Sequence, residues 1–97
     1  GERSRTMSLA EDFENAYIEL RDLIEKGKNF FDEKFEYTIV MDAEKQSDNI
    51  DKPKIVAKIS SPTFLDWENF AFWLDNEEGE MYRIDLYQDG LIIEQDL

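Results

Sequence analysis

Ser8-Leu9-Ala10-Glu11-Asp12-Phe13-Glu14-Asn15-Ala16-Tyr17-Ile18-Glu19-Leu20-Arg21-Asp22-Leu23-Ile24-Glu25-Lys26-Gly27 is the stretch from which the fold is read. Leu9, Phe13, Ala16, Tyr17, Leu20, Leu23 and Ile24 recur at steps of three and four, while Asp12, Glu14, Glu19, Arg21, Asp22 and Glu25 take the other side. That period predicts an amphipathic helix over residues 8–26. Ser8 followed by Glu11 reads as a capping box at its start. Lys26 in the last turn complements the helix dipole, and Gly27 suits a left-handed cap. An isolated helix of this length is marginal in water, so its apolar stripe needs a partner surface.

The remainder of the chain supplies that surface as strands. Phe35, Tyr37, Ile39 and Met41 alternate with Glu36, Thr38, Val40 and Asp42, the period of a half-buried strand. Residues 43–53 are polar and end in Pro53, which reads as an exposed loop. Ile55, Ala57 and Ile59 alternate with Val56, Lys58 and Ser60 in a second strand, stopped by Ser61-Pro62. Phe70, Phe72 and Leu74 against Asn69, Ala71, Trp73 and Asp75 predict a third strand, with a helical turn open as the reading of 63–68. Asn76-Glu77-Glu78-Gly79 reads as a turn. Tyr82, Ile84 and Leu86 against Met81, Arg83, Asp85 and Tyr87 predict a fourth strand, and Asp89-Gly90 is a hairpin signal leading into a short fifth at Leu91, Ile92 and Ile93.

The expected fold class is therefore α+β, with one N-terminal amphipathic helix packed on one face of a four- to five-stranded antiparallel meander sheet. Short links favour sequential antiparallel pairing. Phe13, Tyr17, Leu20 and Ile24 are expected to meet Tyr37, Ile39, Ile55, Ile59, Phe70, Phe72, Ile84 and Leu86. Gly1 to Thr6 contain no apolar residue that would join a core, and read as a disordered tag; residues 7–97 read as a single acidic domain.

Charge is the most unusual property of the chain. Its 97 residues hold 24 acidic and 11 basic side chains, a net −13, and no His. Without residues 1–6 the count is 23 acidic and 9 basic, so the acidity belongs to the body of the protein. Such a surface repels nucleic-acid backbones and anionic membranes and attracts basic partners at long range. High charge also serves solubility alone. The chain has no Cys, which excludes disulfides, thiol chemistry and Cys-based zinc sites. The apolar runs are too short for a membrane span, and a cytoplasmic location is expected.

On the expected sheet, the face without a helix collects Val40, Val56, Lys58, Trp73, Met81, Arg83, Asp85 and Tyr87. Trp, Tyr and Arg beside charged residues match the composition of a protein-binding patch, with cross-strand support of the sheet as the second reading and a homodimer contact as the third. Asp42, Glu44, Asp48, Asp51, Asp75, Glu77, Glu78 and Glu80 fall at loops or strand ends around it. The candidate partner-binding residues are thus Trp73, Tyr87, Arg83, Asp85, Asp42, Glu44, Asp75, Glu77, Glu78 and Glu80.

Catalytic chemistry finds little footing. Asp75-Asn76-Glu77-Glu78-Gly79-Glu80 and Asp48-Asn49-Ile50-Asp51 resemble calcium loops only superficially, because their residues miss the required alternation. Ser60 and Ser61 lack a His to activate them, Lys58 reads as a charge partner rather than a nucleophile, and there is no phosphate-cradling Gly-rich loop. No enzyme activity, metal or cofactor is expected. The expected function is an acidic protein-binding domain, an inhibitor or immunity-type protein that neutralises a basic partner such as a nuclease or another nucleic-acid-binding protein, without itself binding nucleic acid. The alternative is a structural or adaptor module that homo-oligomerises through the open sheet face or an edge strand.

Overall fold

The computed structural model describes the backbone of residues 2–46, 49–78 and 81–97, and the side chains of 9–43, 52–77 and 81–97. In chain order the elements are α1 (Glu2–Phe31), β1 (Glu36–Gln46), β2 (Asn49–Ser60), α2 (Trp67–Glu78), β3 (Arg83–Leu86) and β4 (Gly90–Asp96). The class is α+β as expected, with the N-terminal helix packed on a four-stranded antiparallel sheet. The strands lie in the order β1-β2-β4-β3. From β2 the chain crosses through α2 to β3 at the far edge, and a hairpin then returns β4 into the gap beside β2. The α1 helix lies over β1 and β2, and α2 over β3 and β4.

The third expected strand is the helix α2, and burial explains why. Trp67, Phe70 and Leu74 are all buried. Their spacing puts them on one face of a helix, whereas in a strand the odd-numbered Trp67 would face away from Phe70 and Leu74. Glu68 in the first turn suits the dipole of α2. Phe72, expected in the core, is 69% exposed on the outer side. Leu86, also expected inside, is about half exposed where the sheet ends, while Leu20, Ile24, Ile55, Ile59 and Phe70 are buried as expected. Phe13, Tyr17, Tyr37, Ile39 and Ile84 pack against that core while partly exposed.

The α1 helix is longer than its periodicity predicts, so Ser8 and Gly27 both lie inside it. Gly27 is a close-approach position rather than a cap. A Cβ there would sit 3.0 Å from two ring atoms of Phe70 and 3.1 Å from Trp73. The true stop is five residues further on. Asp32 takes a left-handed φ of 52°, its amide donates to the Asn29 carbonyl, and the Glu33 amide donates to Lys28 at 3.0 Å. Those two bonds are the Schellman pattern.

An aromatic cluster joins the layers. Phe70, with no exposed surface, stacks on Phe35 at 4.8 Å between centroids and also meets Phe31, Trp67 and Trp73. Phe64 packs edge-on to Trp67 at 4.9 Å. Trp67 Nε1 is buried without a hydrogen-bond partner, a cost the surrounding ring contacts offset.

The expected loop at 43–53 is instead mostly strand. β1 and β2 pair out to Gln46 and Asn49, past the Lys54–Asp96 pair where β4 ends. A register shift between Asp42 and Glu44 accommodates an extra β2 residue. Lys52 adopts a left-handed φ of 51° beside Pro53, the geometry of a bulge, which lets Pro53 sit in a strand.

Two substitutions test the course of α1. Gly27→Val should lower unfolding free energy by about 2–3 kcal/mol through overpacking against Phe70. Asp32→Gly should raise it by roughly 0.5–1 kcal/mol by relieving the left-handed position. Chemical denaturation reads both, and a destabilising Asp32→Gly would refute the assigned stop.

Candidate functional site

The open face of the sheet is a charge lattice set by strand register. Asp42, Lys54 and Asp96 form one row; Val40, Val56, Glu94 and Arg83 the next; Thr38, Lys58, Ile92 and Asp85 a third. Lys54 bonds Glu94 at 2.7 Å, and the Arg83 guanidinium donates to both Asp96 oxygens at 3.1 and 3.3 Å. The guanidinium holds the Asp96 carboxyl below its ordinary pKa, and Glu94 pushes the Lys54 ammonium up. Most of the charge on this face is thus engaged within the sheet. Val56 is buried at its centre and Val40 is exposed toward β1.

Trp73 does not belong to this face. It lies on the α1 side of α2, with its ring stacked on Phe30 at 5.7 Å and edge-on to Phe31. Cross-strand support of the sheet by Trp73 against Arg83 therefore does not form, because α2 replaces the strand that would have carried Trp73. Met81 also leaves the open face and lines a groove with Glu19, Leu23 and Lys26 of α1. Arg83, Asp85 and Asp42 do occupy the face, and Tyr87 stands 57% exposed at its end. Asp75 and Glu77 lie on α2, where Glu77 pairs with Lys26. The backbones of Glu44 and Glu78 belong to β1 and α2, their side chains lie outside the described residues, and so does Glu80 altogether.

A second surface combines more of the features expected of a binding patch. Between Lys58 and Arg83 the sequence contains no Lys or Arg and six acidic residues: Asp66, Glu68, Asp75, Glu77, Glu78 and Glu80. This segment carries α2. Glu68, Phe72 and Asp75 share its outer face at helical spacing, and Leu65 is 90% exposed just before it. The β3–β4 turn lies alongside, so that Leu65, Asp66, Glu68, Leu86 and Tyr87 enclose a concavity of about 350 Å³. Phe72 was missed as a surface anchor because residues 69–75 read as a strand, and Leu86 because alternation in β3 assigned it to the core although it ends the strand. Asp66 before Trp67, with Glu68 in the following turn, is the helix-start signal that would have placed Phe72 and the exposed Leu65 before it.

At the other edge of the sheet, the Tyr37 hydroxyl donates to Glu25 Oε2 at 2.5 Å, joining β1 to α1. Partial burial and the Glu25 carboxylate push the phenol up to about 12, and the same bond, aided by Lys28, holds Glu25 below its ordinary value. Among the described residues, no group of three or more carboxylates is placed to hold a metal, and no helix is long and apolar enough to cross a membrane.

The raised phenol gives a signed pH dependence. Its contribution to stability is fully present below the ordinary value of about 10 and is lost as pH climbs through about 12. The Glu25 contribution has the opposite sense, present above the ordinary carboxylate range and lost on acidification. Tyr37→Phe should remove the part of the alkaline stability loss due to this phenol. Glu25→Gln should lower the Tyr37 titration midpoint, read by phenolate absorbance, but leave it above 10 because burial is the larger cause.

Three comparisons with known proteins give no match: no family model fits the chain, and no curated protein and no solved structure matches it.

Proposed function

We propose that the chain is a small acidic protein-binding domain, an inhibitor or immunity-type protein that neutralises a basic partner such as a nuclease or another nucleic-acid-binding protein. The observation that carries this reading is the sector from Leu65 to Asp75 with the adjoining Leu86 and Tyr87. There, exposed apolar side chains stand among carboxylates in a segment without a basic residue. Carboxylates at that density raise the encounter rate with a cationic surface and penalise acidic competitors. Desolvated apolar anchors then slow dissociation, which charge at an exposed rim does poorly. A cytoplasmic setting accords with a chain that has no Cys.

Self-association is the second reading, favoured by β1. This strand is paired on one side only along its length and carries exposed Val40 and Met41. An edge of that kind is a template for a second strand. Sedimentation equilibrium separates the two readings: a concentration-independent monomer removes the dimer.

For the leading reading, the immobilised domain is challenged with purified basic nucleases at low and moderate salt. Retention at low salt that weakens as salt rises is expected. Glu68→Lys with Asp75→Lys should reduce retention more than Glu11→Lys with Glu14→Lys on α1, although both pairs change net charge equally. Failure to retain any basic protein at either salt would refute the proposal.

A further inference from the structure

Tyr87 is the shared wall of two concavities. On one side lies the hollow between the start of α2 and the β3–β4 turn. On the other, about 560 Å³ of open space is bounded by Lys58, Ser60, Tyr87, Asp89 and Ile92. Register explains the position. Arg83 and Asp85 point to the open face, and Tyr87 continues their parity, whereas Leu86 points to the helix side and lines the hollow together with the start of α2. A two-residue turn at Gln88-Asp89 holds the tyrosine, its amide donating to the Gly90 carbonyl at 2.8 Å. Gly90 adds bare backbone to the second hollow, and no side chain can replace it, since a Cβ would lie 2.1 Å from the Ile59 carbonyl oxygen.

From this arrangement we infer that the domain takes a short basic segment of its partner across Tyr87, with one apolar side chain seated on each side of the ring and Lys or Arg flanking them. The inference rests on the basic-partner reading and adds the site and the form of the occupant. Charge complementarity selects that occupant. Asp66 and Glu68 border the first hollow and Asp89 the second, against the single cation Lys58 among the residues lining the two. Leu65 and Leu86 supply apolar area in the first hollow, and Ile92 and the Tyr87 ring in the second. A purely cationic partner would leave those apolar surfaces in water, and a purely apolar one would leave the carboxylates unmatched. Tyrosine suits the central position because it offers a large rigid contact area at low conformational cost.

The test uses the full chain and two synthetic peptides of equal charge, an amphipathic Leu/Lys peptide and its counterpart with Ser for every Leu, titrated at low salt by calorimetry. The Leu/Lys peptide should bind at least about tenfold more tightly than the Ser/Lys peptide. Tyr87→Ala and Leu65→Ser should each erase most of that margin, and Val40→Ser, at the far side of the open face, should not. All three variants alter exposed side chains, and an unchanged denaturation midpoint establishes that they fold. Equal binding of the two peptides would overturn the Tyr87 site while leaving an acidic domain that binds basic partners by charge. A margin insensitive to Tyr87→Ala but lost in Val40→Ser would overturn it in favour of the open face. Binding of neither peptide would overturn this site and count against the basic-partner reading as well.

Discussion

The contact between the Phe70 ring and the bare backbone of Gly27 is the constraint around which the molecule is arranged. With no Cβ on α1 at this point, α2 can approach until the ring touches the helix. The same ring stacks on Phe35, just before β1, and meets Trp67 and Trp73 along its own helix. One side chain therefore fixes the spacing of α1, α2 and the entry to the sheet. In a domain this small that economy matters, because a 97-residue chain buries only about two thirds of its surface and large aromatics remove most apolar area per residue.

Much of the arrangement was legible in the sequence, and the parts that were not have identifiable physical causes. The apolar stripe of α1 from Phe13 to Ile24 and the alternation in β1 and β2 report burial on one face, and such patterns survive in any compact fold. Residues 69–75 satisfy a period of two by chance. Phe70 and Leu74 lie on the buried face under either reading, so the decision rests on Phe72 and Trp73, which alternation assigns the wrong way. Gly27 after Lys26 has the local chemistry of a helix stop, yet a glycine needed for close approach has the same identity as one needed for a left-handed turn. Only the tertiary partner distinguishes them. Pro53 likewise reads as a loop until the bulge at Lys52 gives it a place in a strand.

The candidate site was legible in its composition and not in its location. Arg83, Asp85 and Asp42 do share the open face, and the acidic excess is real, but Trp73 anchors the joint between helices instead of a surface. The reason is again α2. Turning a strand into a helix rotates each successive residue by about 100° instead of 180°, which moves Trp73 toward α1 and brings Phe72 out. The aromatic the sequence offered as an anchor was thus exchanged for its neighbour, while Tyr87, whose place depends only on the hairpin, stayed where alternation put it.

The two faces of the domain also differ in how they use charge. On the sheet, Lys54, Glu94, Arg83 and Asp96 neutralise one another through short contacts, so a cation approaching that face competes with partners already in place. Such exposed pairs add little to stability, typically below about 1 kcal/mol each. Across the outer side of α2 there is no cation to engage Asp66, Glu68 or Asp75 within the segment itself. Uncompensated carboxylates repel one another and oppose compaction, and exposed Leu65, Phe72 and Tyr87 contribute little apolar burial to the fold. A solubilising role accounts for the carboxylates alone and a loose core accounts for the apolar groups alone. The proposed basic, apolar-bearing partner accounts for both on the same surface, since it would neutralise the first and cover the second.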